Sequence, residues 1–589
     1  MRDSGQWSVM VKSCRQFLPA VAFWSWVLYN SFMSVSHTIR EALSQALAGV
    51  GITAPADGIP LEFPGELAHG DYASGVALAK AKEAGMNPRA LAEKLVADMG
   101  IIECVARVEI AGPGFINFTL APSALADSTK IAFSIDGWGK GSALKDQRIV
   151  MEYTDPNPFK AFHIGHLMSN TIGESLARIT EYAGAQVVRA NYQGDVGVHV
   201  ACAIWGIQKL GIHPNSADEF GTAYAAGATA YKEDEVAKAE IDAMNQKIYD
   251  RTDSALNQMY DTGRAESLAA FEKIYSVLGT KFDRYYFESE TAQIGKDIVQ
   301  SHPDIFPESD GARVFKGEEY GLHTRVFLSS KGLPTYEAKE LGLGKIKQEE
   351  YPNATRFVIV TANEVTDYFR VVKKAMELVL PEFAKKLLHV PHGIMKLPSG
   401  KMSSRTGAII TGESLLTELA NAASERESRA DDKALLAQQV AVGAIKFQIL
   451  RQGSGKDIIF DRERALSLEG DSGPYLQYAH ARCNAILEKA KEQGVTPDYR
   501  TADVQHGLTV ARLVHRFPEV VASAVREMEP HVITTYLIQL AGAFNSWYAQ
   551  EQFLDGTPAA AHKVALTDAV RVTLKNGLWL LGIPASEKM

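Results

Sequence analysis

Tyr153-Thr154-Asp155-Pro156-Asn157-Pro158-Phe159-Lys160-Ala161-Phe162-His163-Ile164-Gly165-His166-Leu167 is the stretch around which the chain is organised. The run before it, Arg148 to Tyr153, alternates and is rich in β-formers. The run after it, from Leu167 through Ala177 to Ile179, repeats apolar residues at helical spacing. The spacing predicts strand, loop, helix. Pro156 and Pro158 stop the strand, and His163 and His166 fall at or near the first helical turn, where free backbone N–H groups and the macrodipole favour an anion. Two imidazoles at that separation share one side of a turn and can both donate to one polyphosphate, while Gly165 between them lets a flat ring approach the backbone. Such a loop suits the triphosphate of ATP and the charge that develops during displacement at phosphorus. A capped helix carrying two surface histidines has the same short pattern, so further residues are needed to decide between them.

A second stretch supplies them. Gly393-Ile394-Met395-Lys396-Leu397-Pro398-Ser399-Gly400-Lys401-Met402-Ser403-Ser404-Arg405-Thr406-Gly407 reads as a loop rich in cations and hydroxyls, a composition suited to closing over phosphates. Together the two stretches resemble the paired His-Ile-Gly-His and Lys-Met-Ser-Lys-Ser signatures of class I aminoacyl-tRNA synthetases, in the expected order and more than two hundred residues apart. Arg405 replaces the second lysine of the loop signature, offset by a serine, which leaves Lys401 as the loop's main charge. Residues 156–167, followed by Arg189-Ala190-Asn191-Tyr192-Gln193-Gly194-Asp195-Val196-Gly197, are similar to the arginyl-tRNA synthetase pattern of Pro-Asn-x-x-Lys before the histidines and Asn-x-x-Gly-Asp-x-Gly after them; Val196 stands where many of that family carry Trp.

The resemblance implies roles. His163, His166 and Lys401 are the expected catalytic residues, and Lys160, Gly165, Lys396, Met402, Ser403 and Ser404 complete the ATP site. A guanidinium is planar, permanently charged and a donor only, so its pocket needs carboxylates and no competing cation. The segment Phe282 to Glu290 resembles the family's acidic segment, with Glu288 at its substrate carboxylate. Tyr336-Glu337-Ala338-Lys339-Glu340 matches the family's Tyr-x-x-x-Asp with Glu340 in place of Asp. Asn157 and His163 are expected near the amino end of arginine, with Asn363 where a glutamine is usual. The implied reaction is ATP-dependent attachment of L-arginine to tRNA(Arg) through arginyl-adenylate. Mg2+ is expected with ATP.

Length and composition agree with a soluble multidomain chain. Its 589 residues are 46% hydrophobic and 22% charged, with a formal net charge of -9, so any RNA contact must use local basic patches. Cys14, Cys104, Cys202 and Cys483 are scattered without a Cys-x-x-Cys, which predicts neither zinc nor a disulfide framework, as in a cytoplasmic protein. The same absence of thiol pairs argues against the cysteinyl member of the class. A metabolic nucleotidyltransferase would share the core but have no use for flanking RNA-binding modules, and a non-enzymatic tRNA-binding paralogue would have lost the histidines or Lys401.

The expected architecture is multidomain α/β: a Rossmann-like parallel-sheet core with a small N-terminal α/β domain and a C-terminal α-helical bundle. Residues 1–32 carry a basic start and an apolar run without a clean cleavage site, and read as an extension upstream of a functional start at Met33. Residues 33–125 form the N-terminal domain, with helices near 36–49 and 72–99 and strands at 105–110 and 115–120. His69 to Ser74 and Ala111 to Phe118 resemble the signatures of the family's tRNA-contacting domain, with Asn117 as the residue reading a base edge. The catalytic domain spans 146–400, with strands near 148–153, 186–191, 312–315, 323–328 and 356–361 and a helical insertion about 205–285. A connector at 401–435 leads to a helical anticodon-binding domain at 436–589. There, Tyr475, Gln477, Tyr478, His480 and Arg482 lie in a segment similar to the family's anticodon-domain signature. Phe544, Trp547 and Tyr548 fall at core spacing, with Trp547 kept as a further candidate RNA contact. The expected partners are tRNA(Arg), L-arginine and ATP, with no membrane and a monomeric chain.

Overall fold

The computed structural model describes residues 35–134, 137–214, 216–396, 411–425, 431–499 and 506–589. The expected extension at 1–32 and Lys401, Met402, Ser403 and Ser404 lie outside the described residues. Two units are formed: the described residues up to Gly139 with Ala479–Val520 and Tyr536–Asn576, and Lys140–Tyr478 with Val521–Thr535 and Gly577–Met589.

In the first unit, α1 (Val35–Gly49) is followed by β1 (Tyr72–Ser74), α2 (Val76–Ala84), α3 (Pro88–Asp98), β2 (Val105–Ala111), β3 (Phe115–Leu120) and α4 (Pro122–Ser134). β3 lies between β1 and β2 and is antiparallel to both. The helical pattern expected over 72–99 is interrupted for local reasons. Tyr72–Ser74 pairs as a strand, Gly85 (φ 63) ends α2 in a left-handed cap, and Asn87 caps α3 with Pro88 at its first position. Residues from far along the chain complete this unit: Tyr72 donates its hydroxyl proton to Glu519 at 2.7 Å, and Arg512 pairs with Asp71 at 2.8 Å.

In the second unit, β4 (Arg148–Glu152) leads into α5 (Ile164–Tyr182) and β5 (Gln186–Gln193). The helices α6 (Val198–Leu210), α7 (Ala217–Glu233), α8 (Glu235–Asp250) and α9 (Ser254–Leu278) form the insertion, and β6 (Arg284–Phe287) and α10 (Glu288–Ser301) return to the sheet. β7 (Glu308–Ser309), β8 (Ala312–Phe315) and β9 (Arg325–Leu328) precede α11 (Tyr336–Glu350), β10 (Arg356–Ala362), α12 (Thr366–Val379) and β11 (Leu387–His392). The main sheet has the order β11-β10-β4-β5-β6 and every pairing is parallel.

Two expected members of that sheet, at 312–315 and 323–328, are corrected: β8 and β9 instead form an antiparallel sheet with β7. Only residues 316–324 join them, too few for the crossover that a parallel pair needs. Their places are taken by β6 and β11, which are short and carry Arg284, His389, Pro391 and His392, so their apolar signal is weak.

The chain runs from β4 outward to β5 and β6, then returns to the other side of β4 as β10 and β11. This reversal opens a crevice at the carboxyl ends of β4 and β10, where open α/β sheets bind ligands. Later in the chain come β12 (Met395–Lys396), α13 (Gly412–Ser424), α14 (Lys433–Leu450), β13 (Ile458–Ile459) and the long helices Gly473–Glu492, Leu508–Glu527, His531–Gln550 and Ala559–Leu580, whose residues are shared between the two units.

α5 packs against the end of β4 so closely that a Cβ on Gly173 would sit 2.2 Å from Tyr153 Cγ. Gly173→Ala should therefore destabilise the protein by about 1–3 kcal/mol, although alanine is the better helix former. A lowered urea midpoint would report it, and an unchanged or raised midpoint would contradict the packing.

Candidate active site

The loop after β4 is held in an unusual backbone conformation. Thr154 (φ 83), Asp155 (φ 48) and Phe159 (φ 65) all have positive φ, a region that non-glycine residues, and β-branched ones above all, seldom enter. Specific hydrogen bonds hold it there. Thr154 N–H donates to Ser169 Oγ at 2.9 Å, Asn170 donates to Thr154 Oγ1 at 3.0 Å, Tyr192 N–H donates to Asp155 Oδ1 at 2.7 Å, and Phe159 N–H donates to Ser267 Oγ at 2.9 Å.

The loop delivers His163 to the N-cap of α5 and His166 to its first turn. Their rings stack with centroids 3.5 Å apart, and His163 N–H donates to His166 Nδ1 at 3.2 Å. Burial, with Lys160 nearby, lowers the pKa of His163 to about 4; burial, with His163 and Lys160, holds His166 well below the usual imidazole range. Both rings are neutral at pH 7. Because Nδ1 of His166 accepts a hydrogen bond, its ring proton is on Nε2, which remains able to donate to an anion. A Cβ on Gly165 would stand 2.9 Å from His163 Cε1, so a side chain there would push the His163 ring from its place.

Asn157 and Glu288 meet at Gly194. Gly194 N–H donates to Asn157 Oδ1 at 2.9 Å, and a Cβ on Gly194 would lie 2.6 Å from that oxygen and 3.1 Å from Glu288 Oε1. Asp195, fully buried, fixes the start of α10 by accepting from Ser289 N–H at 2.9 Å and Ser289 Oγ at 2.7 Å, with Arg264 Nε at 3.0 Å. Glu288 is buried and bonded to Lys339 Nζ at 2.6 Å. Burial raises the Glu288 pKa against the pull of Lys339. Nearby, Lys347 forms a buried ion pair with Glu152 at the end of β4. Glu340, 9% exposed, has its pKa raised to about 8 by burial and by Glu152, with Lys347 opposing. Asp155 is raised as well, by burial and Glu152.

Asn157, His163, His166, Glu288 and Glu340 thus cluster around the crevice, and Lys160 acts electrostatically on both histidines and on Glu288. Tyr336 opens α11 and is 58% exposed, and Asn363 is exposed just after β10. Lys396 is paired with Asp457 at 2.7 Å in a solvent-exposed contact. Lys339, Lys347, Glu152, Asp155 and Asp195 were not foreseen as site residues. The available signal was an ionisable residue within otherwise buried runs, such as Glu152 at the end of Ile149-Val150-Met151. The segment carrying Lys401 rejoins the described residues at Thr411, which bridges to His163, and Gly412 N–H donates to Phe162 O at 2.7 Å. Its exit is therefore fastened beside the histidines.

Three expected RNA contacts are corrected by burial. Gln477 is fully buried and donates to Gln439 O at 3.0 Å and Pro584 O at 2.9 Å; His480 is 2% exposed; Trp547 packs against Phe553 with centroids 4.3 Å apart. Tyr475, Tyr478 and Arg482 are half-buried, with Arg482 donating to Asn545 Oδ1 at 2.6 Å. Asn117, on β3, is 8% exposed and is corrected as a base-reading residue on the same ground.

Family models match along the chain: the arginyl tRNA synthetase N terminal domain at residues 36–120, the class I (R) tRNA synthetase catalytic domain at 132–462, and the DALR anticodon binding domain at 476–589. The arginine–tRNA ligase of Clostridium perfringens is 30% identical over 82% of this chain and 88% of its own length. That of Streptococcus pneumoniae is 30% identical over 90% and 95%. Among solved structures, the Thermus thermophilus arginyl-tRNA synthetase superposes with a TM-score of 0.76 at 26% identity, covering 94% of this chain and 100% of the other. Plasmodium falciparum arginyl-tRNA synthetase shares the fold, with a TM-score of 0.73 at 19% identity, covering 94% and 99%.

The buried carboxylates make stability depend on pH. Glu340 binds its proton more tightly folded than unfolded, so its contribution is fully present below its ordinary pKa and declines as pH rises toward about 8. Glu340→Gln should gain about 1 kcal/mol or more on the wild type between pH 6 and pH 8.5. Parallel thermal melts at the two pH values would read it, and a constant difference would show that Glu340 is ionised throughout.

Proposed function

Because this chain belongs to the arginyl-tRNA synthetase family, we propose that the crevice at the carboxyl ends of β4 and β10 is where it joins L-arginine to ATP as arginyl-adenylate before transfer to tRNA(Arg). The observation that carries this assignment is the stacked, neutral His163–His166 pair at the N-terminus of α5, with Thr411 and Gly412 fastened beside it. ATP is the second substrate of this ligase reaction. Its phosphates meet the first turn of α5 and the Nε2–H of His166, with positive charge from Lys160 and from Lys401. Magnesium is expected to enter with the nucleotide phosphates, and no step is assigned to it.

In the first step, a carboxylate oxygen of arginine attacks the α-phosphorus, the bond to the bridging oxygen breaks, and pyrophosphate leaves. The protein contributes position and stabilises the charge that grows on the phosphates. Asn157, oriented by Gly194, faces the amino end of arginine together with His163. Glu288, Tyr336 and Glu340 receive the guanidinium; Glu340 stands in place of the family's aspartate on a longer arm and becomes a negative partner on losing its proton to the incoming cation. In the second step, a terminal ribose hydroxyl of tRNA attacks the carbonyl carbon and AMP leaves. Tyr475, Tyr478 and Arg482 are the candidate RNA contacts. A cytoplasmic site of action is part of this proposal and follows from the family's place in translation. Among the described residues no helix is long and apolar enough to cross a membrane.

Exchange of labelled pyrophosphate into ATP, run with each amino acid in the presence and absence of tRNA, tests this reading. Arginine alone among the amino acids should support exchange; failure under both conditions in folded protein would leave a tRNA-binding protein without the ligase step. His166→Ala should slow exchange by a factor on the order of 10²–10³, as for loss of one donor to a developing anion. Wild-type exchange in that variant would remove His166 from the reaction.

A further inference from the structure

Two of the three residues assigned to the guanidinium, Glu288 and Tyr336, already share a cation. Lys339 Nζ lies 2.6 Å from Glu288 Oε2 and 5.4 Å from the centre of the Tyr336 ring, and Tyr249 of the insertion helix α8 interacts with the same ammonium. Lys339 and Glu288 are 5% and 4% exposed, so this pair is an enclosed contact within the pocket. A carboxylate, an aromatic face and a hydroxyl around one positive group are what a guanidinium pocket has to offer.

We propose that Lys339 is a specificity-determining residue: its ammonium occupies the substrate's guanidinium seat in the empty pocket, and only a ligand that holds Glu288 more firmly displaces it. The inference rests on the assignment of Glu288 and Tyr336 to arginine recognition. A free lysine or ornithine can offer Glu288 only the point contact that Lys339 already makes, and Lys339 makes it intramolecularly, at high effective concentration. Arginine presents two parallel N–H groups to both carboxylate oxygens and a flat cation to the Tyr336 face. The displaced ammonium remains tethered to α11 and can return when the ligand leaves. The resident lysine therefore excludes ammonium side chains by competition, a task that carboxylates alone would do poorly.

Lys339→Met in the full chain, assayed by thermal shift with L-arginine, L-lysine and L-ornithine, tests the proposal. The free variant should melt lower than the wild type because Glu288 loses its partner. Its shift with arginine should be larger, and L-lysine, silent on the wild type, should now bind with an apparent affinity at least tenfold higher. If lysine remains silent and the arginine shift is equal or smaller, Lys339 instead holds Glu288 for the substrate and the proposal fails. Lys339→Gln, which keeps a hydrogen-bond donor, carries the same expectations should the methionine variant not fold. Glu288→Gln separates the two layers. An unchanged arginine shift there would overturn the pocket assignment itself, whereas its loss, together with a silent lysine in the Lys339 variants, would overturn the competition alone.

Discussion

The left-handed backbone of the loop between β4 and α5 is the constraint on which the rest of the site depends. Residues held in such conformations cost about 1–3 kcal/mol each and persist only where the surroundings over-determine them. Here the anchors come from different elements: Ser169 and Asn170 from α5, the Tyr192 amide from β5, and Ser267 from α9. The insertion therefore helps to set the course of the loop and is more than an appendage. With the loop fixed, His163 emerges at the helix cap without having to be ordered by substrate, and the donors are in place before charge develops.

The same economy of anchors governs the acidic side of the crevice. Asp195 clamps the first residues of α10, Gly194 leaves space where a side chain would collide with Asn157 and Glu288, and α11 brings Lys339, Glu340 and Lys347 into one buried group. Two lysines are bound to two carboxylates there, while Glu340 has its proton to lose. An incoming permanent cation thus meets a pocket close to neutral, and its charge must be balanced from within.

Much of this was legible in the sequence because local rules and pattern agreed. Strand, proline-stopped loop and helix around His163 are read from alternation and periodicity, and Asn157, Glu288 and Glu340 follow from resemblance at quoted positions. What was not legible depended on tertiary context. Arg284–Phe287 and Leu387–His392 are half-buried edge strands whose charges and proline weaken the apolar signal of a parallel strand, and Ala312–Phe315 has strand composition but too short a connection for the parallel sheet. Gln477 and His480 share a helix with Tyr475 and Tyr478, and only packing shows that the first two face inward. The lysine partners of the acidic group were invisible because Glu152 and Lys347 are distant in the chain.

That last separation bears on how the chain can change over generations. Glu152 and Lys347 pair where neither reaches solvent. Losing either partner alone leaves a stranded charge at a cost of about 3–5 kcal/mol, whereas exchanging both for apolar residues of similar volume can be close to neutral. A lineage that drifts by single substitutions must cross an unstable intermediate to reach that neutral alternative. The pair is thereby held in the sequence by the depth of the valley around it, whatever its own contribution to the reaction.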